Sequence, residues 1–404
     1  MKLLHTGDWH LGKRLNDLPR LEEQKQVLEE IIEIAEREEV DAIIIAGDLY
    51  DQFNPPNEAI ELFYKSVHKL SNNGKRAVIA ISGNHDSPDR IEAPDPLAKA
   101  CGIILVGYPS TEVSPMALES GLSITRSAQG FVELQLPNAN VPLRILLTPY
   151  ANEGRLKQFL GIENQEEQLR MVLKNNWKEL AKKYCDDKGV NILMAHLFMM
   201  KKGGEKPEEP EDERHILHVG GAQPIYSEDI PKEIQYTALG HLHRLHHVNQ
   251  EGKSPALYSG SLLEYSFSEA NQKKYVVIIE AEPGKDVKYN KLELESGKKL
   301  FRKKFEDKDL AIEWLKGNPD TFVELTLVSD SFITAQTKKE LYNVHSGIVS
   351  IIPEIKNLDK IQGEQNVIDL SKNIDQLFKD YFKHKNGQEA NEEIMNLFHE
   401  IING

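Results

Sequence analysis

Six short apolar runs punctuate the first 280 residues: Leu3–Leu4, Ala42–Ala46, Ala77–Ile81, Leu143–Leu147, Ile192–Ala195 and Tyr236–Leu239. Nearly all are rich in Ile, Val or Leu and are bounded by polar residues, so they read as buried strands. Between the first two, Leu21, Leu28, Ile31, Ile32 and Ala35 recur at helical spacing. Ile60, Phe63, Val67 and Leu70 do the same before Asn73-Gly74. The alternation predicts an α/β chain whose helices cover the faces of its sheets.

Five of the runs end on chemistry. The sequences are GDWHLG (7–12), GDLYD (47–51), GNHD (83–86), AHL (195–197) and GHLHR (240–244), each placing Asp, Asn or His just past a strand. Functional sites in α/β sheets gather beyond the carboxyl ends of strands, so these loops can converge although they are far apart in sequence. Asp8, His10, Asp48, Asn84, His196, His241 and His243 supply carboxylate or amide oxygen and imidazole nitrogen with no thiolate. That donor set suits Mn²⁺, Fe or catalytic Zn²⁺ better than a structural zinc. Seven donors exceed the needs of one ion, whereas two ions about 3.5–4 Å apart, bridged by a carboxylate, would use them all and leave open positions. A lone Gly-Asp-x-His has a plain explanation as a turn after a strand. Five such motifs on successive strand ends do not.

Composition narrows the partners. The chain has 404 residues with 49 Lys and Arg against 64 Asp and Glu, a net charge of −15. Net charge therefore cannot hold it to a polyanion, and any nucleic-acid contact must be local or shared with a partner. Two cysteines, Cys101 and Cys185, give no disulfide framework, and MKLLHTGDWH lacks the apolar stretch of a signal peptide. No stretch approaches a membrane span. A cytoplasmic protein is expected. His5, His68, His215, His218, His345, His384 and His399 belong to no constellation, and His246 and His247 read as loop neighbours of the site.

The motifs resemble the calcineurin-like metallophosphoesterases. DWHLG, VDAIIIAGDLYD followed by Pro55-Pro56, SGNHDS, YTALGHLHR and YSGSLLEYSFSEANQKKYV (258–276) narrow the resemblance to the SbcD family of nuclease subunits over roughly residues 1–280. The resemblance implies that Asp8, His10, Asp48 and His243 hold one ion and that Asp48, Asn84, His196 and His241 hold the other, with Asp48 as bridge. It also implies two Mn²⁺ ions, water activated between them as nucleophile, and His85 near the scissile phosphate, stabilising or protonating the leaving oxygen. A plain turn residue is the other reading of His85. Three positions after the bridging aspartate, some archaeal double-strand-break nucleases carry histidine, where this chain has Asp51. Either Asp51 orients His85 as a carboxylate behind the site or it is a solvated loop acid.

The remainder is less specific. Residues 201–215, KKGGEKPEEPEDERH, combine Gly, Pro and acid without an apolar anchor and read as a surface loop. Gly252-Lys253-Ser254 ends like a phosphate loop, but His247 stands where the first glycine is required, so the chain should not hydrolyse ATP by itself. Past 285 the pattern becomes strand, helix, strand, helix, strand over Lys299–Glu306, Leu310–Leu315, Phe322–Val328, Thr334–Val344 and Ile348–Ile355. Lys298, Lys299, Arg302, Lys303 and Lys304 form the densest basic cluster, either a solvated strand face or a DNA backbone contact. Leu370, Ile374, Leu377, Phe378, Tyr381 and Phe382, then Ile394, Leu397, Phe398, Ile401 and Ile402, predict a helical hairpin. It packs on its own domain or binds a partner.

The expected architecture is an α/β metallophosphoesterase β-sandwich flanked by helices (1–284), a small α+β capping domain (285–358), and a linker with C-terminal helical hairpin (359–404). By resemblance the hairpin would bind an SbcC-like ATPase, and the chain would act on DNA as a homodimer. Two alternatives stand beside a Mn²⁺-dependent DNA nuclease cutting as exonuclease and endonuclease. One is a phosphatase or phosphodiesterase acting on small substrates through the same two ions. The other is a non-catalytic DNA-end tether, whose expected mark is a missing ligand.

Overall fold

The computed structural model describes residues 1–157, 165–205, 225–249, 254–329, 333–355 and 374–386, with 160, 207, 394, 395 and 397–399. Each of the six apolar runs forms a strand, with Ala46 alone falling just past the end of Ala42–Ile45. Lys2–Thr6, Ala42–Ile45, Ala77–Ile81 and Ile103–Val106 pair in parallel, and Tyr275–Glu280 and Lys288–Glu293 extend this first sheet antiparallel beyond Lys2–Thr6. A second sheet has a parallel centre of Leu143–Thr148, Val190–His196, Tyr236–Gly240 and Ala256–Tyr258. Antiparallel strands Ser123–Ala128, Phe131–Gln135 and His246–Asn249 flank it.

The two sheets face one another. Leu3, Ile44, Ile79 and Ile81 of the first meet Leu134, Ile145, Ile192, Met194 and Ala238 of the second in a shared core. Alternate residues of the same strands, Leu4, Ile43, Ile45 and Val78, point outward to a second core under the helices Leu21–Arg37 and Asn57–Ser71. The far face of the second sheet buries Leu146, Leu193 and Leu239 against Leu173, Trp177 and Ala181 of the helix Gln165–Tyr184. Because both faces of each central strand are covered, the runs are continuously apolar rather than alternating. The helix Asn57–Ser71 ends where Asn72, Asn73 and Gly74 turn left-handed, at φ of 46°, 55° and 74°.

The strand Lys288–Glu293 lies past the expected boundary at 284/285 yet pairs along its length with Tyr275–Glu280, so the first sheet extends to 293. Its exposed, charged sequence hid it, as befits an edge strand. Beyond it, Lys299–Phe305, Thr321–Ser329 and Ile348–Ile355 form a three-stranded parallel sheet crossed by the helices Lys308–Gly317 and Ala335–Val344. This sheet rests on the first unit through Leu15, Leu300 and Phe322, with Phe267 packed against them. Glu264 Oε2 accepts the Leu300 N–H at 2.7 Å, and Glu23 Oε2 accepts that of Lys298 at 2.8 Å.

Within the basic cluster, Arg302 pairs with Glu324 at 2.7 Å and Lys304 with Glu354 at 2.5 Å. Lys303 lies over the rings of Phe301 and Trp314. Two of the five charges are thus met by carboxylates of the same sheet, which favours the solvated-face reading. Of the C-terminal hairpin, the helix Ile374–Asn386 is described, and Phe378 stacks on Phe398 with ring centroids 3.9 Å apart. Leu370, Ile401 and Ile402 lie outside the described residues, as do 208–215 of the acidic loop. No helix among the described residues is long and apolar enough to cross a membrane.

Candidate metal centre

The site forms where five strands of the two facing sheets end. Lys2–Thr6 leads to Asp8 and His10, Ala42–Ile45 to Asp48, and Ala77–Ile81 to Asn84 and His85. Val190–His196 closes on His196, and Tyr236–Gly240 leads to His241 and His243. The turns are tight and strained: Asp8, His10, Asp48 and His241 adopt positive φ of 50°, 43°, 45° and 112°. Such residues cost on the order of 1–3 kcal/mol each and persist only where the surroundings over-determine them. Here the surroundings are the carboxylates themselves. Asp8 Oδ1 accepts the His241 N–H at 2.8 Å, and Asp48 Oδ1 accepts the His85 N–H at 2.9 Å. Two glycines permit this closeness, since a Cβ on Gly83 would stand 2.0 Å from Asp48 Oδ1 and one on Gly240 would stand 1.8 Å from the Ala46 carbonyl oxygen.

All seven expected ligands come together, and six of them, Asn84 excepted, are fully or almost fully buried. Donor atoms of Asp48, His196 and His241 lie within 4.8 Å of one another. His196 Nε2 is 3.2 Å from Asp48 Oδ2 and 2.9 Å from Asn84 Oδ1. His10 Nε2 faces His243 Nε2 at 2.9 Å and stands 3.7 Å from Asp48 Oδ2. Asp48 therefore lies between the two histidine groups, and a second cluster of His10, Asp51 and His85 adjoins it. Asp8 lies 3.7 Å from the far ring nitrogen of His196, its oxygens turned to the His241 backbone.

The electrostatics call for cations. Burial pushes the Asp8 carboxyl up, and the nearby Asp48 charge adds to that, against the pull of His196 and His243. Burial acts on Asp48 in the same direction, but His196, His85 and His10 outweigh it and hold Asp48 below the usual carboxylate range. Conversely, Asp48 and Asp8 overcome burial and raise His196 to about 9. The buried Asp48 charge and the His196 imidazole thus favour each other's charged forms, a role that a divalent cation fills with full charge and no proton. Oxygen and imidazole donors without thiolate fit hard or borderline divalent ions.

Supporting contacts fix the imidazoles. His196 Nδ1 donates to the Ala46 carbonyl at 2.9 Å, turning Nε2 towards Asp48. His243 Nδ1 meets Glu269 Oε1 at 3.0 Å, and Lys274 Nζ, 2.5 Å from Glu269 Oε2, also donates to the His243 carbonyl at 2.9 Å. Gln24 Nε2 donates to the His10 carbonyl at 2.8 Å and to the Tyr265 hydroxyl. Carboxylate–histidine pairs of this kind set ring orientation and tautomer at metal sites.

Two expectations change. His85 Nδ1 is 2.7 Å from Asp51, but from its main-chain carbonyl oxygen; the Asp51 carboxylate instead stands 3.7 Å from His10 Nδ1 and 3.5 Å from Lys13. Asp51 thus orients His85 through its backbone while its side chain serves the other histidine. His246 and His247 lie in the strand His246–Asn249, against Tyr258 and Tyr289, rather than in a loop beside the site.

Sequence reasoning missed Asp86 and Arg155. The buried Asp86 carboxylate accepts the N–H groups of Leu49, Tyr50 and Gly83, joining the GDLYD and GNHD loops. Its place as the last letter of GNHD was the available signal. Arg155 donates to the carbonyls of Gly83 and Asp86 at 2.8 and 2.7 Å, with its guanidinium 4.9 Å from the Tyr150 ring centroid. Nothing in the motif pattern pointed to it. Glu269 and Lys274 lay inside the 258–276 segment that carried the resemblance, without a role.

Facing sheets with a buried carboxylate–imidazole cluster across their strand ends define a calcineurin-like phosphoesterase, and the model of that family, calcineurin-like phosphoesterase, matches residues 1–245. The SbcD component of nuclease SbcCD from Bacillus subtilis (strain 168) is 34% identical over 412 residues, covering 100% of this chain and 98% of that protein. With that relative aligned from end to end, the chain belongs to the SbcD family of metallophosphoesterases. The protein of the same name from Staphylococcus epidermidis is 32% identical over 287 residues, 70% of this chain and 66% of its own. A dimetal phosphatase from Danio rerio superposes with TM-score 0.39 at 11% identity, over 73% of this chain and 99% of its own, and adds nothing to that assignment.

Proposed function

We propose that the chain is the Mn²⁺-dependent nuclease subunit of an SbcCD-type complex, hydrolysing DNA phosphodiesters at ends and in single-stranded or hairpin segments. The observation that carries this reading is the convergence of Asp48, His196 and His241 within 4.8 Å, beside His10 and His243, in a chain 34% identical to a named nuclease component throughout its length. In this reading Asp8, His10, Asp48 and His243 hold one ion, and Asp48, Asn84, His196 and His241 the other. When bound, two such ions neutralise phosphate charge and supply a nucleophile at neutral pH.

The chain's own groups do the rest. His85 donates Nδ1–H to the Asp51 carbonyl, so Nε2 is the nitrogen left to stabilise or protonate the leaving oxygen. Glu269 and Lys274 hold the His243 ring in one orientation, and Arg155 and Asp86 hold the loop bearing Asn84 and His85. The complete ligand set argues against a vestigial tether. Partners in this reading are DNA, an SbcC-type ATPase, and a second copy of the chain, in the cytoplasm. The half-exposed Tyr381 and Leu397 on the C-terminal segments suit a docking hairpin for that ATPase.

The test combines the purified full chain, Mn²⁺ and long linear duplex DNA, with and without an SbcC-type ATPase and ATP. Mn²⁺-dependent cleavage that the ATPase stimulates is expected. Hydrolysis of bis(p-nitrophenyl) phosphate without DNA cleavage would favour a small-substrate phosphodiesterase, and DNA binding without either would favour a tether. Deleting residues 367–404 should leave Mn²⁺-dependent cleavage of single-stranded DNA and abolish ATPase association. Unchanged association would return the hairpin to the chain's own core.

A further inference from the structure

Phe53 is the only exposed phenylalanine among the described residues, with half its surface open to solvent. A single exposed apolar side chain is ordinarily unremarked, but this one is held in a particular place. The segment 51–54 is tied at two points flanking Phe53, once to the loop that carries Asn84 and His85 and once to the short helix Pro88–Glu92 that follows it. The Asp51 carbonyl accepts from His85 Nδ1 at 2.7 Å, and Asn54 Oδ1 accepts from Arg90 Nη2 at 3.2 Å. Phe53 sits two residues from the carbonyl that grips His85, a chain separation of at most about 7 Å. Its backbone is therefore held close to the imidazole assigned to the scissile phosphate. Arg90 is also exposed, and its guanidinium meets a neutral amide oxygen rather than a carboxylate.

An open aromatic face near an exposed guanidinium that forms no salt bridge among the described residues, one on the GDLYD loop and the other on the helix just after GNHD, is the pairing that receives an unstacked base and its neighbouring phosphate. In a chain of net charge −15 such a contact must be local, and within the basic cluster at 298–304 Arg302 and Lys304 are already paired with Glu324 and Glu354. We propose that Phe53 and Arg90 form a substrate subsite, in which Phe53 stacks on an unpaired nucleobase next to the scissile phosphate and Arg90 contacts an adjacent phosphate. This rests on the nuclease reading above and deepens it, making a single-stranded or frayed strand the form of DNA that the centre accepts. Every base has a face to stack, so the subsite selects for unpairing and not for sequence.

The test uses the full chain with Mn²⁺ and single-stranded oligonucleotides that differ by one abasic residue, scanned across the positions flanking the cleavage point. In the wild type, one abasic position should slow cleavage roughly 5- to 150-fold, the worth of one stacked base. Phe53→Ala should cleave the intact oligonucleotide that much more slowly while cleaving the abasic one at the wild-type rate, and Phe53→Trp should keep the discrimination. Arg90→Ala should weaken binding of both oligonucleotides alike and flatten its salt dependence. If Phe53→Ala slows both oligonucleotides equally, or changes the oligomeric state, Phe53 serves the loop or an interface and the subsite is refuted. A wild type that hydrolyses bis(p-nitrophenyl) phosphate but cleaves no oligonucleotide refutes the nuclease reading itself.

Discussion

Arg155→Ala should weaken both the fold and the centre without removing any ligand. The guanidinium is buried and donates charge-assisted hydrogen bonds to the carbonyls of Gly83 and Asp86 at 2.8 and 2.7 Å, with a longer one of 3.2 Å to Ser82 Oγ. Two such bonds at about 1.5–3 kcal/mol each give roughly 3–6 kcal/mol gross. Its contact with the Tyr150 face, 4.9 Å to the centroid, adds about 0.5–2 kcal/mol. Water entering the vacated space would satisfy the two carbonyls in part, leaving a net loss of about 3 kcal/mol. Arg155→Lys keeps the charge but not the planar fork, and should recover about half of that. Because the clamped segment carries Asn84 and His85, a shift of the loop by a fraction of an ångström should also slow phosphodiester hydrolysis by about 10- to 100-fold. Urea unfolding in EDTA measures the first effect free of metal linkage, and Mn²⁺-supported hydrolysis of bis(p-nitrophenyl) phosphate measures the second. An Arg155→Ala protein within about 1 kcal/mol of wild type, or one with full activity, would refute the clamp.

Two further outcomes follow from particular side chains. His5 bridges the sheets, Nδ1 at 3.0 Å from the Tyr236 hydroxyl and Nε2 at 3.2 Å from the Leu239 carbonyl, and burial lowers its pKa to about 3 against the opposing backbone bond. Below its ordinary value of about 6.5 the unfolded chain takes up a proton that the folded one refuses. Its contribution is therefore complete above about 6.5 and falls by about 1.4 kcal/mol per pH unit towards 3. His5→Asn should flatten the acid limb of stability measured by urea titration between about pH 4 and 7, and an unchanged slope would contradict the assignment. His85→Ala should keep both metals and lose about 10²- to 10⁴-fold in cleavage. Metal loss in that variant, read by elemental analysis, would make His85 a ligand together with His10 and Asp51, whose donor atoms lie within 4.8 Å of it.

How much of this was legible in the sequence depended on whether a residue's role is local. The central strands announced themselves because burial on both faces leaves an unbroken apolar run, as in Ile43, Ile44 and Ile45. The candidate ligands were legible as a cluster because each sits just past such a run. Lys288–Glu293 was not, since an edge strand with exposed Lys, Tyr and Asn carries no apolar signature. Arg155 acts 69 to 73 residues away in sequence, and only the folded chain brings its guanidinium to the GNHD loop. The Asp51 case is finer still. The residue was singled out correctly for contact with His85, but whether a carbonyl or a carboxylate makes the contact depends on loop torsions that residue type does not encode.

The dinuclear centre stands or falls on Asp48 as the bridge between two ions. Protein dialysed against Mn²⁺ and then freed of excess metal should hold two ions per chain in the wild type, none or nearly none in Asp48→Ala, and about one in Asp8→Ala. Asp48→Asn, which preserves the hydrogen bond from the His85 N–H, separates loss of charge from collapse of the loop and should also fail to load. Two ions retained without the Asp48 carboxylate, or a single ion in the wild type, would contradict the dinuclear centre on which the proposed nuclease activity depends.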